Sequence, residues 1–228
     1  MRFAYRSFGY FGLASIFGAL LYGFRYDASA PWSNYLFDLL LYGTWAGVHL
    51  AMTRTGFKRA VYRARAGSPI ERQVYIVVTV TTWLALLWLH RPVPGGSVQL
   101  PGWLHFAATV GFILSIIAFF DGVSFAMLDG LLGVPATAMA LSHGQETPLL
   151  TEGQYARVRH PMYRAVILAG LCSILIHFNA GQILWCVMIG STFVGFIPIE
   201  EAQLIGARGE TYQAYMQKTP WRLLPGVW

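Results

Sequence analysis

Long apolar blocks separated by short polar links run through the whole chain. Six blocks are visible, at residues 7–24, 33–52, 73–90, 102–120, 163–178 and 182–199. A helix needs about 20 apolar residues to cross the hydrocarbon layer of a bilayer, and four of the blocks fit this length comfortably. The fifth block is short, and only residues 179–181 link it to the sixth, which is typical of a tight helical hairpin. The pattern predicts an all-α, polytopic membrane protein with about six transmembrane helices.

Composition and charge agree with this pattern. Of the 228 residues, 56% are apolar and 11% are charged, whereas soluble proteins have about a quarter of charged residues. We expect one integral membrane domain over residues 1–228, with four spans in 1–128 and the hairpin and a polar tail in 129–228. If both termini are cytosolic, 14 of the 16 Lys and Arg residues face the cytosol, in line with the positive-inside bias. The formal charge of +6 is then explained by the membrane topology and by attraction to anionic lipid head groups. A nucleic-acid partner is not needed to explain it.

The stretch VRHPMYRAVILAG, residues 158–170, places charged side chains directly before the fifth block. Pro161 suits the first position of a helix, where its missing N–H is not needed. Arg159 and His160 then lie beside unpaired backbone N–H groups at the positive end of the helix dipole, a place that attracts a carboxylate or a phosphate. Arg and His side chains at a membrane boundary also extend simply toward lipid head groups. Both interpretations stay open.

Two adjacent carboxylates, Glu200 and Glu201, end the sixth block. Negative charge at a helix C-terminus opposes the helix dipole, so a cationic partner is expected. Arg157, Arg159 or Arg164 can supply the cation within the protein. A ligand that carries a cation or ribose hydroxyls can supply the partner from outside.

Together these motifs resemble the C-terminal signature of the integral membrane methyltransferases, which include isoprenylcysteine carboxyl methyltransferases and phospholipid N-methyltransferases. The resemblance covers roughly residues 150–225, with G-x-Y-x-x-V-R-H-P-x-Y at 153–163, E-E-x-x-L at 200–204 and G-x-x-Y-x-x-Y at 209–215. The stretch 48–93 is similar to an NnrU-related branch, the membrane methanethiol S-methyltransferases. The residues that match this branch are His49, Met52, Arg54, Phe57, Lys58, Arg59, Glu71, Arg72, Tyr75, Arg91 and Pro92.

The resemblance implies an enzyme that binds S-adenosylmethionine on the hairpin and its tail, without a Rossmann domain. No G-x-G-x-x-G motif occurs in the chain, which agrees with such a site. Arginine and the helix start suit the cofactor carboxylate, the glutamates suit its ammonium, ribose hydroxyls or adenine amine, and the tyrosines suit adenine or the sulfonium. Aromatic residues also gather at membrane interfaces without any ligand. The residues implied in cofactor binding are Tyr155, Arg159, His160, Pro161, Tyr163, Glu200, Glu201, Tyr212 and Tyr215.

The favoured acceptor is a small or lipophilic thiol such as methanethiol. A thiol attacks as its thiolate, which Arg72, Arg159 or Arg164 can favour. His49, Glu71 or His160 can take the proton. We therefore name His49, Glu71, Arg72 and Arg164 as catalytic candidates, with a plain packing role as the alternative for His49. The six histidines show no pairing at metal-ligand spacing, so no metal is expected.

Three positions depart from the family pattern. Ala165 stands where Gly is common, Arg164 where an apolar residue is usual, and Arg208 where an aromatic residue often occurs. They leave room for a membrane accessory or sensor protein that retains the fold. A further alternative is a lipid-amine (phospholipid) N-methyltransferase or a prenylcysteine carboxyl methyltransferase. We expect a multi-pass protein of the bacterial inner membrane with its active site facing the cytosol, while the oligomeric state is left open.

Overall fold

The computed structural model describes residues 2–63, 69–121 and 149–228. Within these ranges the chain is helical, as predicted, and its strand-like pairing is limited to two isolated bridges. A short 3₁₀ turn, Gly153–Ala156, precedes the hairpin. The helices are α1 (Arg2–Tyr22), α2 (Ser33–Thr53), α3 (Thr55–Tyr62), α4 (Pro69–Leu89), α5 (Gly102–Asp121), α6 (Pro161–Ile176), α7 (Ala180–Arg208) and α8 (Glu210–Lys218).

The six apolar blocks fall on six of these helices, so the prediction of helical blocks is confirmed. In the part of the chain that the structure describes, three helices are long and apolar enough to cross a membrane: Ile70–Leu89, Gly102–Asp121 and Ala180–Arg208. Two shorter apolar helices, Ser7–Tyr22 and Pro161–Ile176, accompany them. The chain is therefore a membrane protein, while the count of six spans and the cytosolic termini stay predictions.

Exposed aromatic side chains lie where several helices meet their loops. Tyr22 ends α1, Trp32 precedes α2, Trp88 is next to the last residue of α4, and Trp103 lies in the first turn of α5. Each of these rings is more than two-thirds exposed. Trp and Tyr favour the boundary between lipid and water, so these helix ends have the character of membrane boundaries.

The described residues up to Gly95 form one compact unit, which holds α1 to α4. In this unit α4 packs against both α1 and α2. Trp83 of α4 donates its Nε1–H to Ser15 Oγ of α1 at 3.0 Å, and a side chain at Gly12 would collide with Val80. The close approach of α1 and α4 therefore depends on a glycine at position 12.

A second compact unit holds α5 to α8. The helix α5 packs along α6, where a Cβ at Gly111 would lie only 2.9 Å from Cys172 Sγ. This contact groups α5 with the hairpin α6–α7, and the predicted division of the domain at residue 128 stays a prediction. Gly209, at a φ of 53°, ends α7 and lets α8 turn back against it, because glycine adopts this conformation without steric cost.

Candidate functional site

The start of α6 is paired with the tail of the chain. Pro161 is the first residue of α6, as predicted, and His160 precedes it without capping the helix through its side chain. The backbone N–H of Arg159 donates to Trp221 O at 2.9 Å, and that of His160 donates to Arg222 O at 3.0 Å. These two N–H groups pair the segment before α6 with the tail, and the predicted anion at the helix start stays a prediction.

Glu201 lies at the centre of a buried charge cluster and is only 3% exposed. Its Oε1 accepts from Arg159 Nε at 2.7 Å and lies 3.2 Å from His160 Nε2. Its Oε2 accepts from Arg222 Nε at 3.0 Å. A carboxylate only accepts hydrogen bonds, so the contact with His160 places the proton on Nε2. Three side chains of the protein thus hold this one carboxylate.

Arg159 connects the hairpin to the tail. Besides its bond to Glu201, it donates from Nη1 to the carbonyl oxygens of Thr219 at 2.8 Å and Pro220 at 2.7 Å. Of the three arginines considered as partners of the glutamates, Arg159 takes this place. Its Nε and Nη1 atoms are occupied by protein acceptors, and its predicted contact with a cofactor carboxylate stays a prediction.

Glu200 and Tyr212 each carry a buried polar atom that makes no hydrogen bond to the described residues. Glu200 Oε2 is buried and has no hydrogen-bond partner among the described residues, and His160 Nδ1 lies 3.6 Å away, beyond hydrogen-bond distance. The Tyr212 hydroxyl is also buried without a hydrogen-bond partner in those residues. Buried polar groups are nearly always satisfied, so these two atoms have hydrogen-bonding capacity left for a ligand or for ordered water.

Tyrosine side chains surround the same end of the hairpin. Tyr215 donates its hydroxyl to the carbonyl of Tyr155 at 2.8 Å, and its ring lies 5.7 Å from that of Tyr212. Burial raises the pKa of Tyr155 to about 12, with a further contribution from the charge of Glu200. Burial likewise raises the pKa of Tyr212 to about 12, with Glu201 adding to the rise. Both phenols are therefore uncharged at neutral pH and can act as hydrogen-bond donors.

Tyr163 presents its ring beside the charge cluster. It stacks on His160 with ring centroids 5.4 Å apart and contacts Phe193 of α7 at 4.9 Å. All nine residues that the resemblance implied in cofactor binding thus lie in the second unit, around the start of α6, the end of α7 and α8.

Arg164 has a separate set of contacts in the second unit. Its Nη2 donates to Gln154 Oε1 at 3.2 Å, and Gln154 donates in turn to Ala118 O at 2.8 Å and Asp121 Oδ2 at 3.0 Å. This arginine therefore joins α6 to the end of α5 through Gln154. The neighbouring Ala165 is 1% exposed, so the departure from glycine places a methyl group in the packed side of α6.

The other three catalytic candidates lie in the first unit. His49 Nε2 is 2.7 Å from the Tyr75 hydroxyl, and His49 Nδ1 is 3.2 Å from Thr79 Oγ1. Glu71 is buried and bonded to Lys58 Nζ at 2.8 Å, and the Arg72 guanidinium lies 5.8 Å from the ring centre of Tyr75. Their roles in catalysis stay predictions.

Arg222 is the principal residue that the sequence analysis missed at this site, since it was counted only as a basic residue near the membrane. Its guanidinium also lies 5.2 Å from the ring centre of Trp228. No motif marks it, because its partner Glu201 lies 21 residues away and tail residues 219–222 follow no helical period. Across residues 2–63, 69–121 and 149–228, no group of three His, Cys, Asp or Glu side chains is placed to hold a metal ion.

Comparison with characterised proteins places this chain among methyltransferases. It is 30% identical to methanethiol S-methyltransferase 1 of Bradyrhizobium diazoefficiens over 82% of the chain and 67% of the relative. Methanethiol S-methyltransferase 2 of the same organism is 31% identical over 81% of the chain and 71% of the relative. A methanethiol S-methyltransferase of Pseudomonas sp. is 27% identical over 80% of the chain and 70% of the relative.

No family model and no solved structure matches the chain. The identities and coverage of the two Bradyrhizobium proteins nevertheless establish the relationship, and they confirm the resemblance and the prediction of a methyltransferase. The chain belongs to the methanethiol S-methyltransferase family.

Proposed function

We propose that this protein transfers a methyl group from S-adenosylmethionine to methanethiol, with the cofactor at the end of the hairpin formed by α6 and α7. The proposal further assigns this end to the cytosolic face of a bacterial inner membrane. The names of the relatives support the reaction. The observation that carries the cofactor site is the pair of buried, unsatisfied atoms, Glu200 Oε2 and Tyr212 Oη, beside the Glu201 cluster.

The residues at this end fit the chemistry of the cofactor. The Glu200 side chain is 43% exposed, so its carboxylate can accept hydrogen bonds from an ammonium group or from ribose hydroxyls. The Tyr212 hydroxyl can donate to or accept from the same ligand. The ring of Tyr163 offers a face to a sulfonium cation, a contact worth about 0.5–2 kcal/mol.

Arg159 and Arg222 have a positioning role in this proposal. Both are bonded to Glu201, and Arg159 also binds two tail carbonyls. Together they fix the tail against the start of α6 and hold the positions of Glu200 and Tyr212. A site held in this way positions reactants before the reaction, an effect worth up to about 7–11 kcal/mol.

The methyl group that the bound cofactor supplies is already activated by its positively charged sulfur. The protein's remaining tasks are to exclude water, to align the thiol and to accept its proton. His49 stays a candidate for this proton from the sequence, and its ring nitrogens lie 2.7 Å from the Tyr75 hydroxyl and 3.2 Å from Thr79 Oγ1. Glu71 and Arg164 are bonded to Lys58 and Gln154, respectively, and in the proposal they hold their helices in place.

A methyl-transfer assay with labelled S-adenosylmethionine tests the proposal. The purified protein in lipid nanodiscs is offered methanethiol, phosphatidylethanolamine or farnesylcysteine in separate reactions. We expect labelled dimethyl sulfide from methanethiol only. Label in the phospholipid or the prenylcysteine would support those alternative acceptors instead, and no binding or turnover of the cofactor would remove the enzyme assignment.

A further inference from the structure

An apolar groove runs between the two arms of the hairpin. Its cavity volume is about 330 Å³, within the range of about 300–1,000 Å³ that is usual for small-molecule sites. Small residues on facing positions of α6 and α7 leave this space. The lining includes Gly170, Leu171 and Ile174 of α6 and Cys186, Gly190 and Val194 of α7. We refer to it as the hairpin groove.

The hairpin groove has almost no free hydrogen-bonding capacity. Cys186 Sγ donates to Gly170 O at 3.3 Å, and Ser191 Oγ donates to Met188 O at 2.9 Å. The polar groups that reach the lining are therefore bonded within the hairpin. A ligand for this space must be apolar, because a polar group placed here would lose its hydrogen bonds to water.

On α7, Gly190 and Val194 line the groove, and Glu201 lies seven residues beyond Val194 along the same helix, with Pro198 between them. The axial rise from Val194 to Glu201 is about 10 Å. The arm α7 thus connects an apolar space to the proposed cofactor site.

The arm α6 shows the same continuity. Tyr163, Ile167, Gly170 and Ile174 are spaced by four, three and four residues, so they share one face. The last three line the groove, and Tyr163 stacks on His160 at the cluster. Both arms therefore lead from the groove to the same end of the hairpin.

We propose that the hairpin groove binds the apolar substituent of the acceptor, so that the enzyme accepts alkyl thiols longer than methanethiol. This inference rests on the proposed function. The sulfur lies at the end of the groove nearest Tyr163, and the alkyl chain extends along α6 and α7 toward the hairpin turn. In the reaction the thiolate sulfur forms a bond to the methyl carbon as the bond from that carbon to the sulfonium sulfur breaks, and the thiol proton passes to a base of the protein.

A pair of glycines on α7 provides a matched test. A Cβ at Gly190 or at Gly195 would meet no atom within 4 Å, so both positions have room for the start of a side chain. Gly190 lines the groove, whereas Gly195 does not. Wild type, Gly190→Leu and Gly195→Leu are compared with methanethiol, butanethiol and hexanethiol, and melting temperature and S-adenosylhomocysteine affinity are measured for each protein.

The wild-type protein is expected to methylate all three thiols. Gly190→Leu should reduce kcat/KM for hexanethiol about tenfold or more, the scale on which apolar pockets discriminate, with methanethiol turnover and cofactor affinity retained. Gly195→Leu should behave as wild type.

Wild-type turnover of methanethiol without hexanethiol would overturn the groove proposal and leave the proposed function intact. Equal losses in the two leucine variants would overturn it as well, and so would loss of a co-purifying phospholipid from Gly190→Leu with hexanethiol kinetics unchanged. If the wild type methylates no thiol at all, the proposed function fails together with the groove.

Discussion

The two ends of the hairpin α6–α7 are both rich in polar groups, but they are built differently. At the turn, Asn179 Oδ1 accepts from the Gln182 N–H at 2.9 Å, and Gln182 Nε2 donates to Ser173 Oγ at 2.8 Å. These groups are neutral, and Ser173 and Gln182 are fully buried. The opposite end holds the charged residues Arg159, Glu200, Glu201 and Arg222 together with His160.

The side chains named at the two ends also differ in their hydrogen bonding. At the turn, the amide and hydroxyl groups bond one another, which is the arrangement expected of a purely structural network. At the open end, Glu201 is held by three side chains, whereas its neighbour Glu200 and the nearby Tyr212 each keep a buried atom without a hydrogen bond in the described chain. Charge alone therefore does not distinguish the two glutamates: Glu201 is held by protein side chains, whereas our proposal assigns Glu200 to the ligand.

Removal of Glu201 should have the largest effect on stability. Glu201→Ala leaves the buried Arg159 and its neighbours without their carboxylate, and breaking a buried ion pair in this way costs about 3–5 kcal/mol. We expect a much lower melting temperature in detergent. Glu210→Ala, a change of an exposed glutamate in the first turn of α8, is the control and should melt like wild type. A Glu201→Ala protein as stable as this control would show that the cluster does not hold the fold.

Removal of the charge on Glu200 should affect binding instead. Glu200→Gln is expected to weaken the affinity for S-adenosylhomocysteine about tenfold or more, since hydrogen bonds to charged groups contribute about 1.5–3 kcal/mol. The melting temperature without ligand should stay close to that of wild type. Isothermal titration calorimetry measures the affinity, with Glu210→Gln as the charge-matched control. Unchanged affinity would take Glu200 out of the site.

A change at the hairpin turn should lower stability and leave cofactor binding unchanged. Gln182→Met keeps the length of the side chain but removes the donor to Ser173, so we expect a loss of about 1 kcal/mol in the free energy of unfolding. Cofactor affinity should not change, because Gln182 lies in the first turn of α7, at the opposite end of the hairpin from Glu200. Chemical denaturation and calorimetry on the same variant check the two expectations. A selective loss of affinity would contradict the structural role of the turn.

The smallest effect concerns alkaline pH. The pKa of Tyr212 is about 12 in the folded protein and about 10 in an unfolded chain. Between these values the unfolded state releases a proton that the folded state keeps, so stability is intact below about pH 10 and falls as the pH rises toward 12. Tyr212→Phe should make this decline shallower in melting experiments from pH 8 to 11, with equal stability at pH 8. An identical decline would show that Tyr212 does not titrate differently in the two states.

Much of the helical framework could be predicted from the sequence, because hydrophobic blocks report which segments need an apolar environment. The start of α6 at Pro161 followed from the missing N–H of proline. An arginine partner for the two glutamates followed from their equal depth on a hairpin, although Arg157, Arg159 and Arg164 were all candidates. The same logic failed for α3, a short amphipathic helix with no buried residue, because no apolar block marks it.

Other features depend on tertiary structure that no local pattern encodes. The helix α7 continues to Arg208 through Pro198, nine residues beyond the end of the apolar block, and it packs with α8. The partnership of Arg222 with Glu201 and of Arg159 with the tail carbonyls arises only when the chain folds back. Only the structure therefore shows that Arg159 and Arg222 bind Glu201 rather than its neighbour Glu200.

An experimental structure of the protein with S-adenosylhomocysteine tests the central claim most directly. The account predicts that ligand atoms lie within hydrogen-bond distance of the Glu200 carboxylate and the Tyr212 hydroxyl, while Glu201 keeps its bonds to Arg159 and Arg222. A ligand bound at another place, or one that displaces Arg159 from Glu201 and leaves Glu200 untouched, would contradict it.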